Sequence, residues 1–264
     1  MSDAAAVLDD LRSESEELDL LVADVRDDQW AAPTPAARWT VAHQIAHLTW
    51  TDEVALLAAT DADAFGAEVA RAQADPLGFV DRAAERLVPA PPAALLARWR
   101  DGRERLGRAL RDAPPGTRIP WYGPPMSVAS MATARLMETW AHGQDIADAL
   151  GAERAPTARL RHVARIGVRA RDYAYLARGI EPPGEEFRVE LTSPDGGSIT
   201  YGPEGAAQRV TGPLLDFCLL VTQRAHRDDL AVRAVGADAD RWLGIAQAFA
   251  GPPGPGRAPR GGAR

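Results

Sequence analysis

The stretch Trp39-Thr40-Val41-Ala42-His43-Gln44-Ile45-Ala46-His47-Leu48-Thr49-Trp50 decides how this chain is read. Thr40 suits a helix N-cap, and the pattern predicts a helix from there to about Ala59. His43 and His47 stand four residues apart, so both lie on one face, which Trp50 and Val54 continue. A second long helix, predicted from about Ser127 to Leu150, presents Glu138 and His142 four apart, with Asp145 on the same side one turn later. If the two helices face each other, imidazole nitrogen and carboxylate oxygen can share an ion, and a borderline metal such as zinc accepts both donors. Two histidines and one carboxylate leave a coordination position open, as catalytic sites do. Spacing alone leaves the bland reading standing, because Glu and His four apart also recur by chance on helix surfaces.

The segments around these two helices are helical as well. From Val7 to Val25 the apolar residues Leu8, Leu11, Leu18, Leu21, Val22 and Val25 repeat at helical spacing. Ala31-Ala32-Pro33-Thr34-Pro35 breaks the chain. Residues 60–90 predict one or two shorter helices interrupted at Pro76 and Gly78, and Ala93 to Ala113 a further long one. Between that helix and the Glu138 helix runs a stiff, proline-rich loop carrying Trp121 and Tyr122. The two aromatics are read either as a substrate wall or as ordinary packing. Four long helices with turns between them predict a four-helix bundle, whose interior can house a metal.

Beyond Gly151 the pattern changes. Thr157 to about Arg178 reads as a helix, Phe187–Thr192 and Ser198–Tyr201 as a hairpin, and Ala207–Thr211 and Leu230–Val235 as further strands. Helices are predicted from Pro213 to about Arg227 and from Asp238 to Phe249. The expectation is a two-domain α+β protein: a helical bundle over 1–150, a small α+β domain over 151–250, and a disordered Gly/Pro-rich tail over 251–264.

Composition narrows the chemistry. The chain has 264 residues, 46% of them apolar, enough for a sizeable core, and a net charge of −7. That balance argues against a nucleic-acid binder. No apolar run reaches membrane length, and Met1-Ser2-Asp3-Ala4 does not resemble a secretory leader, so a cytoplasmic protein is expected. All 30 basic residues are arginine, as in a GC-rich genome, which excludes lysine Schiff-base chemistry. The single cysteine, Cys218, excludes an internal disulfide and a thiolate-built zinc site. Its apolar neighbours Phe217, Leu219 and Leu220 make it a buried structural thiol.

The two histidine motifs carry a resemblance. Residues 39–48 and the stretch Glu138-Thr139-Trp140-Ala141-His142-Gly143-Gln144-Asp145-Ile146 resemble the first and second metal motifs of the mycothiol-dependent maleylpyruvate isomerase family, within the DinB-like bundle superfamily. The likeness covers about residues 5–150. The C-terminal half resembles the wyosine-base-formation-like domain that accompanies this bundle in actinobacterial proteins. The resemblance implies a DinB-like four-helix bundle with His47, Glu138 and His142 as ligands to a divalent metal, usually zinc. It also implies a low-molecular-weight thiol, mycothiol, as cosubstrate. His43, one turn before the matched ligand, is then a supporting residue or a proton carrier, with a ligand role as the lesser alternative.

The enzyme reading is an isomerase or thiol transferase acting on a small electrophile, with His43, Asp145 and Arg224 as candidate catalytic residues. Arg224 and Arg227 flank His226, where an arginine could hold a substrate carboxylate or sit solvated beside Asp228 and Asp229. His162, next to Arg161 and near Arg165, reads as surface. The competing reading is a metal- or small-ligand-binding protein without turnover, and a third makes the C-terminal domain an interaction module. Oligomeric state is not legible.

Overall fold

The computed structural model describes residues 4–254 and 256–261. The chain divides into two compact units, Met1–Arg154 and Ala155–Arg264.

The first unit is helical. Its long helices are α1 (Ala4–Ala23), α2 (Val41–Thr60), α5 (Pro92–Asp112) and α6 (Val128–Leu150), with the short α3 (Ala62–Ala74) and α4 (Phe79–Glu85) between α2 and α5. Their ends follow local chemistry. Proline opens α5 at its first residue, where no amide hydrogen is needed. The Ser127 hydroxyl accepts the Ser130 amide at the start of α6, and Gly151 ends that helix in the left-handed region at φ 65°. α3 and α4 are separated by the predicted break at Pro76 and Gly78. α2 packs on α5 and α6, and α1 on the same two helices, so the four long helices close a bundle. Its core holds Leu18, Ile45, Leu48, Leu95, Trp99 and Ile146. The proline-rich loop is framed by a two-residue pairing of β1 (Arg118–Ile119) with β2 (Met126–Ser127).

Charge also crosses this core. Arg135 of α6 donates Nε to Asp52 of α2 at 2.9 Å, with side chains 3% and 6% exposed. Its Nη2 donates to Thr51, whose hydroxyl in turn donates to the carbonyl of His47. Arg154, just past α6, pairs with the buried Glu14 of α1 at 2.5 Å and donates to the Trp140 carbonyl. Nothing in the amphipathic pattern singles out these pairs, because a charged residue on an apolar face looks like a defect until its partner is known.

In the second unit α7 (Leu160–Arg169) and α8 (Arg171–Leu176) replace the single helix expected from Thr157 to Arg178. A four-stranded sheet runs in the order β4 (Ser198–Tyr201), β3 (Phe187–Thr192), β5 (Gln208–Pro213), β6 (Arg233–Val235). β3 is antiparallel to β4, as the hairpin reading expects, and parallel to β5. On β3 burial alternates, with Phe187, Val189 and Leu191 inward. They join Phe217 of α9 (Leu214–Val221) and Trp242 of α10 (Ala237–Ile245). α9 stops well short of Arg227 because Gln223 turns left-handed at φ 59°. The N-terminus of α10 is held by the Gln208 side chain, which accepts the amides of Asp238 and Ala239.

The tail expected to be disordered falls partly outside the described residues, at 255 and 262–264. In its described part the Arg260 amide donates to the Asp229 carboxylate. No helix among the described residues is long and apolar enough to cross a membrane.

Close packing in this unit gives one test. A Cβ on Gly167 of α7 would lie 2.7–2.9 Å from the Val221 side chain of α9, closer than such contacts allow. Gly167→Ala is expected to destabilise the protein by about 1–3 kcal/mol in urea unfolding. Adding Val221→Ala should recover part of that loss, and two additive costs would show that the clash is not the cause.

Candidate metal centre

α2 and α6 bring the histidine faces together. Nε2 of His47 lies 3.1 Å, and Nε2 of His142 3.2 Å, from the same Oε2 of Glu138. One donor atom from each of the three residues falls within 4.8 Å of the others. This is the converging set of metal-type ligands among the described residues.

The two imidazoles are held differently. Nδ1 of His142 lies 2.5 Å from Oε1 of Gln44, an oxygen that can only accept, so Nδ1 carries a proton and Nε2 is the ring nitrogen turned to Glu138. Gln44 is fully buried and donates its own amide to Thr34, which bonds the Trp39 carbonyl. His47 has no such partner: its Nδ1 is buried and unbonded. Its ring sits between Trp39 and Trp50, at 5.3 and 5.9 Å between centroids. Trp39 also stacks on His142 at 5.9 Å. Burial pushes the Glu138 carboxyl pKa up, but hydrogen bonds and charge from His142 and His47 outweigh it and hold it well below the usual range. The carboxylate is thus an anion facing two nitrogen donors.

The other expected site residues lie outside this set. Nδ1 of His43 accepts the Thr40 amide at 3.2 Å and lies 2.8 Å from the Thr40 hydroxyl, so it caps the start of α2. Burial lowers its pKa, opposed by Glu85 and Asp81. Asp145 stands one turn beyond His142 and is 1% exposed. Gln144, next to it in the motif, donates to Asp148 on the helix surface. Arg224 belongs to the second unit, where Nη1 donates to the Thr222 carbonyl. Arg227 bonds the carbonyl and carboxylate of Asp240 instead of lying loose beside Asp228 and Asp229.

His162 corrects an expectation. It is 5% exposed, not a surface residue, because the buried arc of α7 is wide and also takes Leu160, Val163, Ala164 and Gly167. Cys218 is fully buried, bonded to the Leu160 carbonyl, and burial pushes its thiol well up, so it is no nucleophile.

Trp121 and Tyr122 satisfy the packing reading without leaving the site's neighbourhood. Trp121 stacks on Phe65 at 5.8 Å, and Tyr122 meets Phe65 and Phe79. Phe79 meets Trp50, which meets His47, so an unbroken file of rings reaches the cluster.

Sequence reading missed Gln44. Its signal is a long amide side chain inside a helix, three residues before a ligand histidine and among buried apolar neighbours.

A helical bundle with an inward His–Glu–His cluster and an attached small α+β unit is the class these features define. The chain belongs to the family of the mycothiol maleylpyruvate isomerase N-terminal domain, whose model matches residues 11–147. A model described as wyosine base formation matches residues 183–235. An uncharacterized protein of Mycobacterium tuberculosis is 57% identical over 257 residues, spanning 97% of this chain and 100% of the relative. The fold is shared with the crystal structure of the mycothiol-dependent maleylpyruvate isomerase, at TM-score 0.61 and 17% identity, covering 88% of this chain and 92% of that one. A histidine-to-alanine mutant of that enzyme matches at TM-score 0.60 and 16% identity, covering 87% and 92%.

Proposed function

We propose that this protein holds a divalent metal, zinc, on His47, Glu138 and His142 and uses it with mycothiol to act on a small electrophile, as an isomerase or thiol transferase. The observation that carries this reading is the convergence of two imidazole Nε2 atoms on one buried carboxylate oxygen. The donor set fits a zinc-type ion: two imidazole nitrogens, one carboxylate oxygen, and a His142 ring oriented through Nδ1 by Gln44. A dication there would lower the pKa of a bound thiol, supplying a nucleophile at neutral pH that buried Cys218 cannot. Trp39 and Trp50 orient the ligand rings and exclude water beside them. His43 has Nδ1 committed to Thr40, so a proton would travel through its Nε2. The reading keeps Asp145 as a buried acid on the ligand helix and Arg224 as an anchor for a substrate carboxylate. A diffusible thiol cosubstrate implies the cytoplasm as the compartment.

The alternative, a metal- or ligand-binding protein without turnover, is favoured by one feature: His43 is spent as a helix cap, which removes a free acid–base group from the site. Cobalt substitution separates the two. The enzyme reading expects stoichiometric metal and a visible-band shift when a mycothiol analogue is added. Metal without a thiol-dependent shift favours the binding protein, and no metal binding at micromolar levels overturns the enzyme reading.

Gln44→Leu tests the orientation of His142. It should weaken metal binding by about 10–100-fold, read by competition with a chromophoric chelator. An unchanged affinity would show that the His142 tautomer is set elsewhere.

A further inference from the structure

A cavity of about 390 Å³ opens between α1 and α5, with Asp52 of α2 also reaching its wall. We propose that it binds an amphipathic monocarboxylate, with an apolar body on Leu8, Leu11 and Leu106 and a head group on Arg103. The volume lies in the range of about 300–1,000 Å³ used for small molecules. Gly107 is part of the wall, and a Cβ there would project into space with nothing nearer than Arg111 Nη1 at 4.0 Å.

Arg103 gives the head group its sign. Its guanidinium lies 4.6 Å above the Trp99 ring and its Nη2 pairs with Asp19, while Nη1 is shielded inside the protein, so the cavity meets the remaining exposed edge of the side chain. A guanidinium only donates, so the head group it takes from the cavity is an acceptor. Asp19 is shared with Arg100, whose Nε lies 2.9 Å away, leaving two guanidiniums to one carboxylate. The acids of the wall do not cancel this excess. Asp52 is matched by Arg135, Glu16 by Arg12, and Glu104 by Arg108. A carboxylate supplies an anionic acceptor that matches the excess guanidinium charge. The site is separate from the His–Glu–His cluster, and the proposal stands whether or not that cluster holds metal.

The test titrates octanoate into the full chain, followed by calorimetry and by fluorescence, to which Trp99 beneath Arg103 contributes. Saturable one-to-one binding is expected, weaker by about ten-fold or more for uncharged 1-octanol. Acetate, which lacks the body, should not bind. 4-Phenylbutanoate distinguishes a fatty acyl from an aryl occupant: whichever binds tighter names the body. Gly107→Leu fills the cavity and should abolish binding while remaining helical, since leucine favours helix over glycine. Arg103→Met should remove the preference for octanoate over octanol. Independently of any variant, octanoate should shift the methyl resonances of Leu8, Leu11 and Leu106. No binding at millimolar octanoate, meaning a water-filled cavity only, would overturn the proposal. So would equal binding of octanol by the wild type, or shifts confined to other residues.

Discussion

His142→Ala, Glu138→Ala and His47→Ala proteins prepared in zinc-supplemented medium are each expected to purify without tightly bound metal, whereas His43→Ala retains most of it. The reason is geometric. Each of the three supplies one donor to a set whose members lie within 4.8 Å of one another, and His43 does not belong to it. Removing a partner that merely orients a ligand costs about 10–100-fold in affinity, so removing a ligand costs more. Glu138→Ala also leaves two imidazoles with no anion to offset the ion's charge. Elemental analysis and chelator competition read the result, and circular dichroism shows whether the bundle persists. A metal-free His43→Ala protein that is still folded would overturn the assignment of ligands. Full metal occupancy in His47→Ala would overturn it too, and would redirect attention to Asp145.

Arg135→Met is expected to lower stability at neutral pH by about 3–5 kcal/mol, the typical cost of orphaning a buried charge. Asp52 then loses the guanidinium now 2.9 Å from it. In the intact protein burial already raises the Asp52 pKa, opposed chiefly by Arg135, and without Arg135 it rises further. The sign of the pH dependence follows. Above the unfolded carboxyl pKa of about 3.9, the unfolded chain releases its proton while the folded variant keeps it. Stability of the variant should therefore fall with rising pH, at about 1.4 kcal/mol per unit, until the raised folded pKa is passed. Lowering the pH toward 4 should restore much of the loss. Adding Asp52→Asn should flatten the profile, and a steep profile in that double variant would show that another group is responsible.

The elements that came straight from sequence are those set by local chemistry. Thr40 and Ser127 start their helices where an N-cap residue should, and Gly151 ends α6 in the one backbone region glycine favours. The β3–β4 hairpin follows from alternation and a turn. The histidine faces followed from spacing, and their membership in one motif pair from resemblance. What sequence could not supply were groups whose meaning depends on a distant partner. Glu14 and Asp52 interrupt apolar faces until Arg154 and Arg135 are seen beside them. Gln44 looks like a spare polar residue until His142 is 2.5 Å away. His162 looks exposed because its neighbours in sequence are charged, while its neighbours in space bury it.

The sequence by itself determined a helical first half, a mixed second half, and two helix faces bearing metal-type donors, because periodicity and capping act within one turn or one hairpin. It also settled that any reactive thiol comes from outside, since the single cysteine lies in an apolar run. Only the tertiary structure decided that α2 faces α6 closely enough for His47 and His142 to reach one carboxylate oxygen. It also decided which ring nitrogen of each histidine faces the carboxylate, and that His43 serves the helix end instead. Donor convergence depends on how two helices rotate against each other, and that rotation is fixed by the whole bundle core, not by either helix alone.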